Sequence, residues 1–130
     1  MQEKNLPPDS PMLGESCSLL GSVLADQNKL AEAAPLLKRS REILEKTNDP
    51  RLCYALLFSS TLYKKQGKLS EAEASAKKAI GLGEKFWGPN DPKMCQFLGG
   101  LAGLYKSQGK KAEAKKLEDR IQKIRNQSVR

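Results

Sequence analysis

The strongest constraint on this chain is that it repeats itself. Asn28-Lys29-Leu30-Ala31-Glu32-Ala33 returns 39 residues later as Gly67-Lys68-Leu69-Ser70-Glu71-Ala72, and 42 residues after that as Gly109-Lys110-Lys111-Ala112-Glu113-Ala114. Pro11, Pro50 and Pro92 keep the same two intervals. A unit of this length cannot bury its apolar face alone and must stack on its neighbours, so the period predicts an all-α solenoid of helix pairs. In a chain of 130 residues that gives about three repeats. The expected divisions are a connector from a preceding repeat over 1–11, a first repeat over 12–48, a second over 49–90, and a third with a C-terminal capping helix over 91–130. Glu3 to Pro11 lines up with the later connector Glu84 to Pro92. The chain therefore reads as the last part of a longer array, and its open N-terminal end as a place for self-association.

Within each unit the apolar residues fall at helical spacing. Cys17, Leu20, Gly21 and Leu24 form the expected stripe of the first helix. Ala33, Leu36, Leu37, Ile43 and Leu44 form that of a second helix over Lys29 to Lys46, with Pro35 expected to kink or restart it because proline lacks a backbone donor. Asn28, Gly67 and Gly109 occupy the breaks, where a left-handed residue ends a helix. Phe86 and Trp87 are expected to fold back over the seam between repeats, and the chain to fray from Asn126 onward.

Composition removes several function classes. The absence of histidine takes away the commonest general base and metal ligand, and no acid–base pair stands out, so neither an enzyme nor a metal or cofactor site is expected. Three cysteines at helical core positions read as free thiols of a reducing, cytoplasmic compartment. No run of about 18 apolar residues, the length a membrane span needs, is present. The net charge of +8 is concentrated at one end: from Lys106 onward there are nine basic and three acidic residues. A basic end favours acidic partners. A basic accessory module touching RNA or an anionic surface through the last helix is the alternative to protein binding, although that helix has no interleaved aromatics for base stacking.

The unit Leu-x-x-Leu-Tyr-x-x-Gln-Gly-Lys-x-x-Glu-Ala, from Leu101 to Ala114, resembles the tetratricopeptide repeat. Gln66-Gly67-Lys68, Glu71-Ala72-Glu73, Ala34-Pro35-Leu36 and the segment Glu84 to Pro92 are similar to the long 42-residue variety found in kinesin light chains. The resemblance implies a right-handed superhelix of antiparallel helix pairs whose first helices line a concave groove holding a protein or peptide. Transferred by position, that groove is lined by Glu15, Ser18, Ser22 and Asp26. The second repeat adds Tyr54, Leu57, Phe58, Thr61, Lys64 and Lys65, and the third adds Gln96, Gly99, Gly100, Gly103, Lys106 and Ser107. Tyr54, Leu57 and Phe58 are expected as an apolar anchor site and Lys64, Lys65 and Lys106 as a basic rim, for a partner with acidic and apolar residues. The paired Asn residues of kinesin light chain grooves are replaced here by Ser18-Leu19, Leu57-Phe58 and Gly99-Gly100. The three glycines at 99, 100 and 103 are each expected to accommodate either a ligand backbone or the preceding repeat.

Overall fold

The computed structural model describes residues 10–128, which form six helices. They are α1 (Pro11–Asp26), α2 (Leu30–Thr47), α3 (Leu52–Lys65), α4 (Leu69–Trp87), α5 (Met94–Ser107) and α6 (Lys111–Ser128). Most of the connector expected before Pro11 lies outside the described residues, as do the last two residues of the chain. Instead of fraying from Asn126, α6 continues to Ser128.

Three identical turns fold the helices into pairs. Asn28, Gly67 and Gly109 sit at φ of 63°, 78° and 76°, the left-handed conformation that glycine and asparagine tolerate best. Beyond each, a lysine amide reaches back to a carbonyl in the last turn of the preceding helix: Lys29 to Leu24, Lys68 to Tyr63 and Lys110 to Tyr105, all at 2.8 Å. This closure satisfies carbonyls that the helix end leaves without partners. At the other end, Ser10 caps α1 by accepting from the Met12 amide at 3.2 Å, and proline at the first helical position needs no donor. Pro35 does not break α2, which runs unbroken from Leu30 to Thr47 with Pro35 exposed six residues in.

Helices within a pair approach closely because small residues line the contact. A Cβ added to Gly14 would lie 2.8 Å from Leu44 Cγ, and one added to Gly21 would lie 2.8 Å from Leu37 Cγ. The leucines of α2 thus sink into hollows on α1, and the buried arc of α1 turns toward Leu13, Gly14, Cys17, Ser18, Gly21 and Ala25. Leu20, expected on that arc, is 52% exposed as a result. Buried serines add hydrogen bonds across the same contacts: Ser40 donates to the Gly14 carbonyl at 2.6 Å, Ser60 to Ala72 at 2.8 Å and Ser75 to Leu56 at 2.7 Å.

Successive pairs then stack, α2 on α3 and α4 on α5, with α1 beside α3 and α3 beside α5. The larger core joins the second and third pairs through Phe97, Met94, Leu98, Leu101, Leu104 and Ile80. Tyr54, Trp87 and Phe97 close this seam, Trp87 stacked on Phe97 at 5.8 Å and Tyr54 tilted against Phe97 at 5.2 Å. The three cysteines are free, Cys17 and Cys53 buried and Cys95 half-buried. Burial pushes the Cys53 thiol up to about 11.

Two results are expected. Gly14→Ala and Gly21→Ala each lower the unfolding free energy by about 1–3 kcal/mol through overpacking, whereas Gly81→Ala, with open space around its Cβ, raises it by up to about 1 kcal/mol. Urea titration of the three variants measures both signs. With a thiol reagent at pH 8, Cys95 reacts first, while Cys17 and Cys53 react only as the protein unfolds.

Candidate partner-binding groove

The first helices of the three pairs, α1, α3 and α5, lie side by side, and their outward faces make one continuous surface. Glu15 and Asp26 of α1 are exposed on it, with Ser22 half-buried. Thr61, Lys64 and Lys65 of α3 are exposed, and so are Gln96, Gly99, Gly100 and Ser107 of α5, with Gly103 half-buried. Of the other residues expected with them, Ser18 is buried and Tyr54 half-buried, and three more depart from expectation.

Leu57 is the first. It is only 8% exposed, because its Cδ1 sits where a side chain on Gly100 would be, 2.8 Å from that position. It packs α3 against α5 and is not offered to a ligand. Gly100 thus accommodates the preceding repeat, whereas Gly103 has nothing within 4 Å of its Cβ position and stands open. Phe58, the second, faces both ways. It is half-buried against the cluster of Ala25, Leu37 and Leu62, and it also lines a surface cavity. The third is Lys106, which ion-pairs with Glu118 of α6 and so belongs to the end of the stack as much as to the rim.

The cavity lies between α1 and α3. It is lined by Glu15, Ser18, Leu19, Arg51, Tyr54 and Phe58, and has a volume of about 190 Å³. Leu19, 53% exposed, and the Phe58 and Tyr54 rings supply apolar walls. Ser18 is buried at the floor, its hydroxyl donating to the Glu15 carbonyl at 2.9 Å. At the mouth, Arg51 approaches Glu15 at 3.7 Å, a solvent-exposed pair that holds neither side chain strongly. Burial, with Cys53 and Asp91 adding, raises the Tyr54 phenol, so this wall stays uncharged at neutral pH. Arg51 was not among the expected groove residues, whereas Leu19 entered through the Ser18-Leu19 pair that stands where kinesin light chain grooves carry Asn, 39 residues before Phe58.

Two family models of the tetratricopeptide repeat match the chain, over residues 13–51 and 54–85. Together they cover more than half of it. The chain belongs to the tetratricopeptide repeat family. Its fold is that of the TPR-like repeats of a Podosopora anserina protein described as a kinesin light chain, with TM-score 0.77 and 22% identity over 99% of this chain and 63% of that one. A single-substitution variant of the same protein gives TM-score 0.80 at 21% identity, over 98% and 62% of the two chains. The TPR domain of Arabidopsis FLU gives 0.75 at 18% identity, over 90% and 99%. The chain thus spans less than two thirds of the Podosopora structure. No curated protein matches it in sequence. TPR repeats generally mediate protein–protein interaction, and among the described residues no helix is long and apolar enough to cross a membrane.

The placement of Leu57 has a direct consequence for TPR groove mutagenesis. Leu57→Glu buries a carboxylate against α5 and is expected to cost at least about 3 kcal/mol of stability. Lys64→Glu or Thr61→Glu, on the exposed face, stays within about 0.5 kcal/mol. Chemical denaturation monitored by circular dichroism distinguishes them.

Proposed function

We propose that this TPR unit binds a segment of a partner protein along the α1–α3–α5 surface, seating one bulky apolar side chain in the cavity between α1 and α3. Acidic residues of the segment then lie toward Lys64 and Lys65. The observation that carries this reading is the cavity itself: two aromatic rings and a leucine around a space of side-chain size, with an arginine at its mouth. Apolar anchors in preformed pockets dominate the energetics of peptide recognition, and neighbouring charges set orientation and on-rate. The charge pattern adds a direction. α1 carries Glu15 and Asp26 and no basic residue, whereas the end of α3 carries Lys64 and Lys65.

The basic last helix is the weaker alternative because part of its charge is already answered. Asp119 pairs with Lys115 at 3.4 Å, Glu118 with Lys106, and Arg120 with Glu84 at 2.6 Å. The remaining lysines stand on a solvated outer face.

Selection of a displayed random-peptide library on the full chain tests the proposal. Enriched peptides are expected to carry Leu, Met or an aromatic residue beside Asp or Glu. Ser18→Leu fills the cavity floor as Leu57 fills the corresponding space one repeat later, and Leu19→Glu places a charge on its wall. Each is expected to weaken the selected peptides on the order of 10- to 100-fold, with helicity unchanged. Peptides that bind both variants as well as the parent would overturn the cavity assignment. A steep loss of binding with salt, together with competition by RNA, would transfer the site to α6.

A further inference from the structure

The two junctions between pairs differ at three corresponding positions. Where the second pair meets the third, these are Ile80, Leu101 and Leu117, the first two buried in the core and Leu117 packed against it. Where the first meets the second, they are Arg41, Ser59 and Ser75, which stand 39, 42 and 42 residues earlier. Three apolar fillers are thus replaced by one cation and two hydroxyls.

The replacement leaves a surface cavity of about 280 Å³ between α2 and α4, with α3 as its floor. Leu56, Tyr63 and Ala74 give it apolar walls. Both serines already have acceptors, Ser59 donating to the Ala55 carbonyl at 2.8 Å and Ser75 to the Leu56 carbonyl at 2.7 Å. Arg41 is less well provided for. It is half-buried, and among the described residues its guanidinium makes one hydrogen bond, to Ser59 Oγ at 2.5 Å, and no ion pair. A guanidinium carries several further N–H donors in a planar fork. Lys78 adds a second positive charge at the rim, its Nζ 3.4 Å from Glu45 in an exposed and weakly held pair. Glu71, the acidic residue of the lining, is exposed and forms no ion pair among the described residues, so it does not neutralise Arg41.

A planar cation beside an apolar wall matches a carboxylate carried on an apolar body, because the fork of N–H groups takes both carboxylate oxygens at once. A bare inorganic anion would leave the wall of Leu56, Tyr63 and Ala74 uncovered, and a purely apolar molecule would leave Arg41 without an acceptor. Size narrows the choice. An enclosed cavity of about 150 Å³ holds a benzene ring, so this one has room for a ring with a short acidic arm.

We propose that the α2–α4 cavity is a second binding site, for a small aryl or alkyl carboxylate whose charge meets Arg41 and whose body lies on Leu56, Tyr63 and Ala74. A free small molecule and an apolar residue at the C-terminus of a peptide present this same chemistry. For a ligand of about 11 non-hydrogen atoms the dissociation constant is on the order of 1 mM. None of these residues lines the α1–α3 cavity.

Titration of the full chain with 3-phenylpropionate, followed by residue-resolved NMR of the backbone amides, tests the site. The neutral control is 3-phenylpropanamide, and an acetylated tetrapeptide ending in phenylalanine represents the other source. Saturable shifts are expected at Arg41 and along α4 from Glu71 to Lys78, with the acid bound at least about 10-fold more tightly than the amide. Arg41→Gln keeps a donor for Ser59 and is expected to abolish that preference while leaving the amide unaffected. Ser75→Leu, which gives this junction the residue of the next one, is expected to abolish binding of both, and circular dichroism establishes that the variants remain helical. Tighter binding of the free acid than of the peptide assigns the site to a small molecule, and the reverse assigns it to a chain terminus. No saturable shift up to about 20 mM, equal binding of acid and amide, indifference to Arg41→Gln, or shifts confined to the α1–α3 cavity would each overturn the proposal. Leu19→Glu, which perturbs the groove cavity, is expected to leave this titration unchanged, so failure at one site is distinguishable from failure at the other.

Discussion

The structure depends on how closely two helices of a pair can approach. Ser40 reaches the Gly14 carbonyl at 2.6 Å, a contact between side chain and facing backbone that small residues along the helix pair permit. The registers of Gly14 and Gly21 are held by Cys53 and Ser60 in the second pair and by Cys95 and Ala102 in the third. Small residues at these two positions in every pair keep the interhelical distance short. That distance fixes where the first helices lie, and their side-by-side arrangement is the groove. The close contact inside each pair thus determines the shape of the surface along α1, α3 and α5.

Contact between pairs is less uniform. The second and third pairs share a large core closed by the Tyr54, Trp87 and Phe97 rings. The first pair reaches that same core through Leu44 of α2, meets the second pair again in a smaller cluster around Ala25, Ala33, Leu37 and Leu62, and keeps a separate cluster of Leu13, Cys17 and Ile43. The cavity proposed to receive a partner lies at this junction, between α1 and α3.

Much of the fold was legible because it is specified locally. Asn28, Gly67 and Gly109 mark turns wherever they occur, and period and helical spacing place the helices on either side of them. Pro35 does not interrupt α2, since near the start of a helix it removes one backbone hydrogen bond at an exposed position. The groove was legible only in part. Periodicity defines a stripe but not the direction of the nearest neighbour, which here is set by leucines of α2 sinking into glycine hollows. Leu20 therefore faces outward and Leu57 inward, against expectation. Arg51 joined the site through its position opposite Glu15 on another helix, a relation that no spacing within one helix records.

The cavity itself follows from a mismatch in size at one register. Between α3 and α5 the facing residues are Leu57 and Gly100, a large knob and an empty hole, and the leucine fills the hole. One repeat earlier the same two registers hold Ser18 and Phe58. Here the large residue is on the later helix and the small one on the earlier, so the ring leans toward Ala25 and Leu62, and the space above Ser18 stays open. The two junctions share a backbone plan and differ in which partner carries the bulk. A leucine at position 18 would give the first junction the same knob as the second. The serine there leaves room for a side chain from another molecule to take the leucine's place.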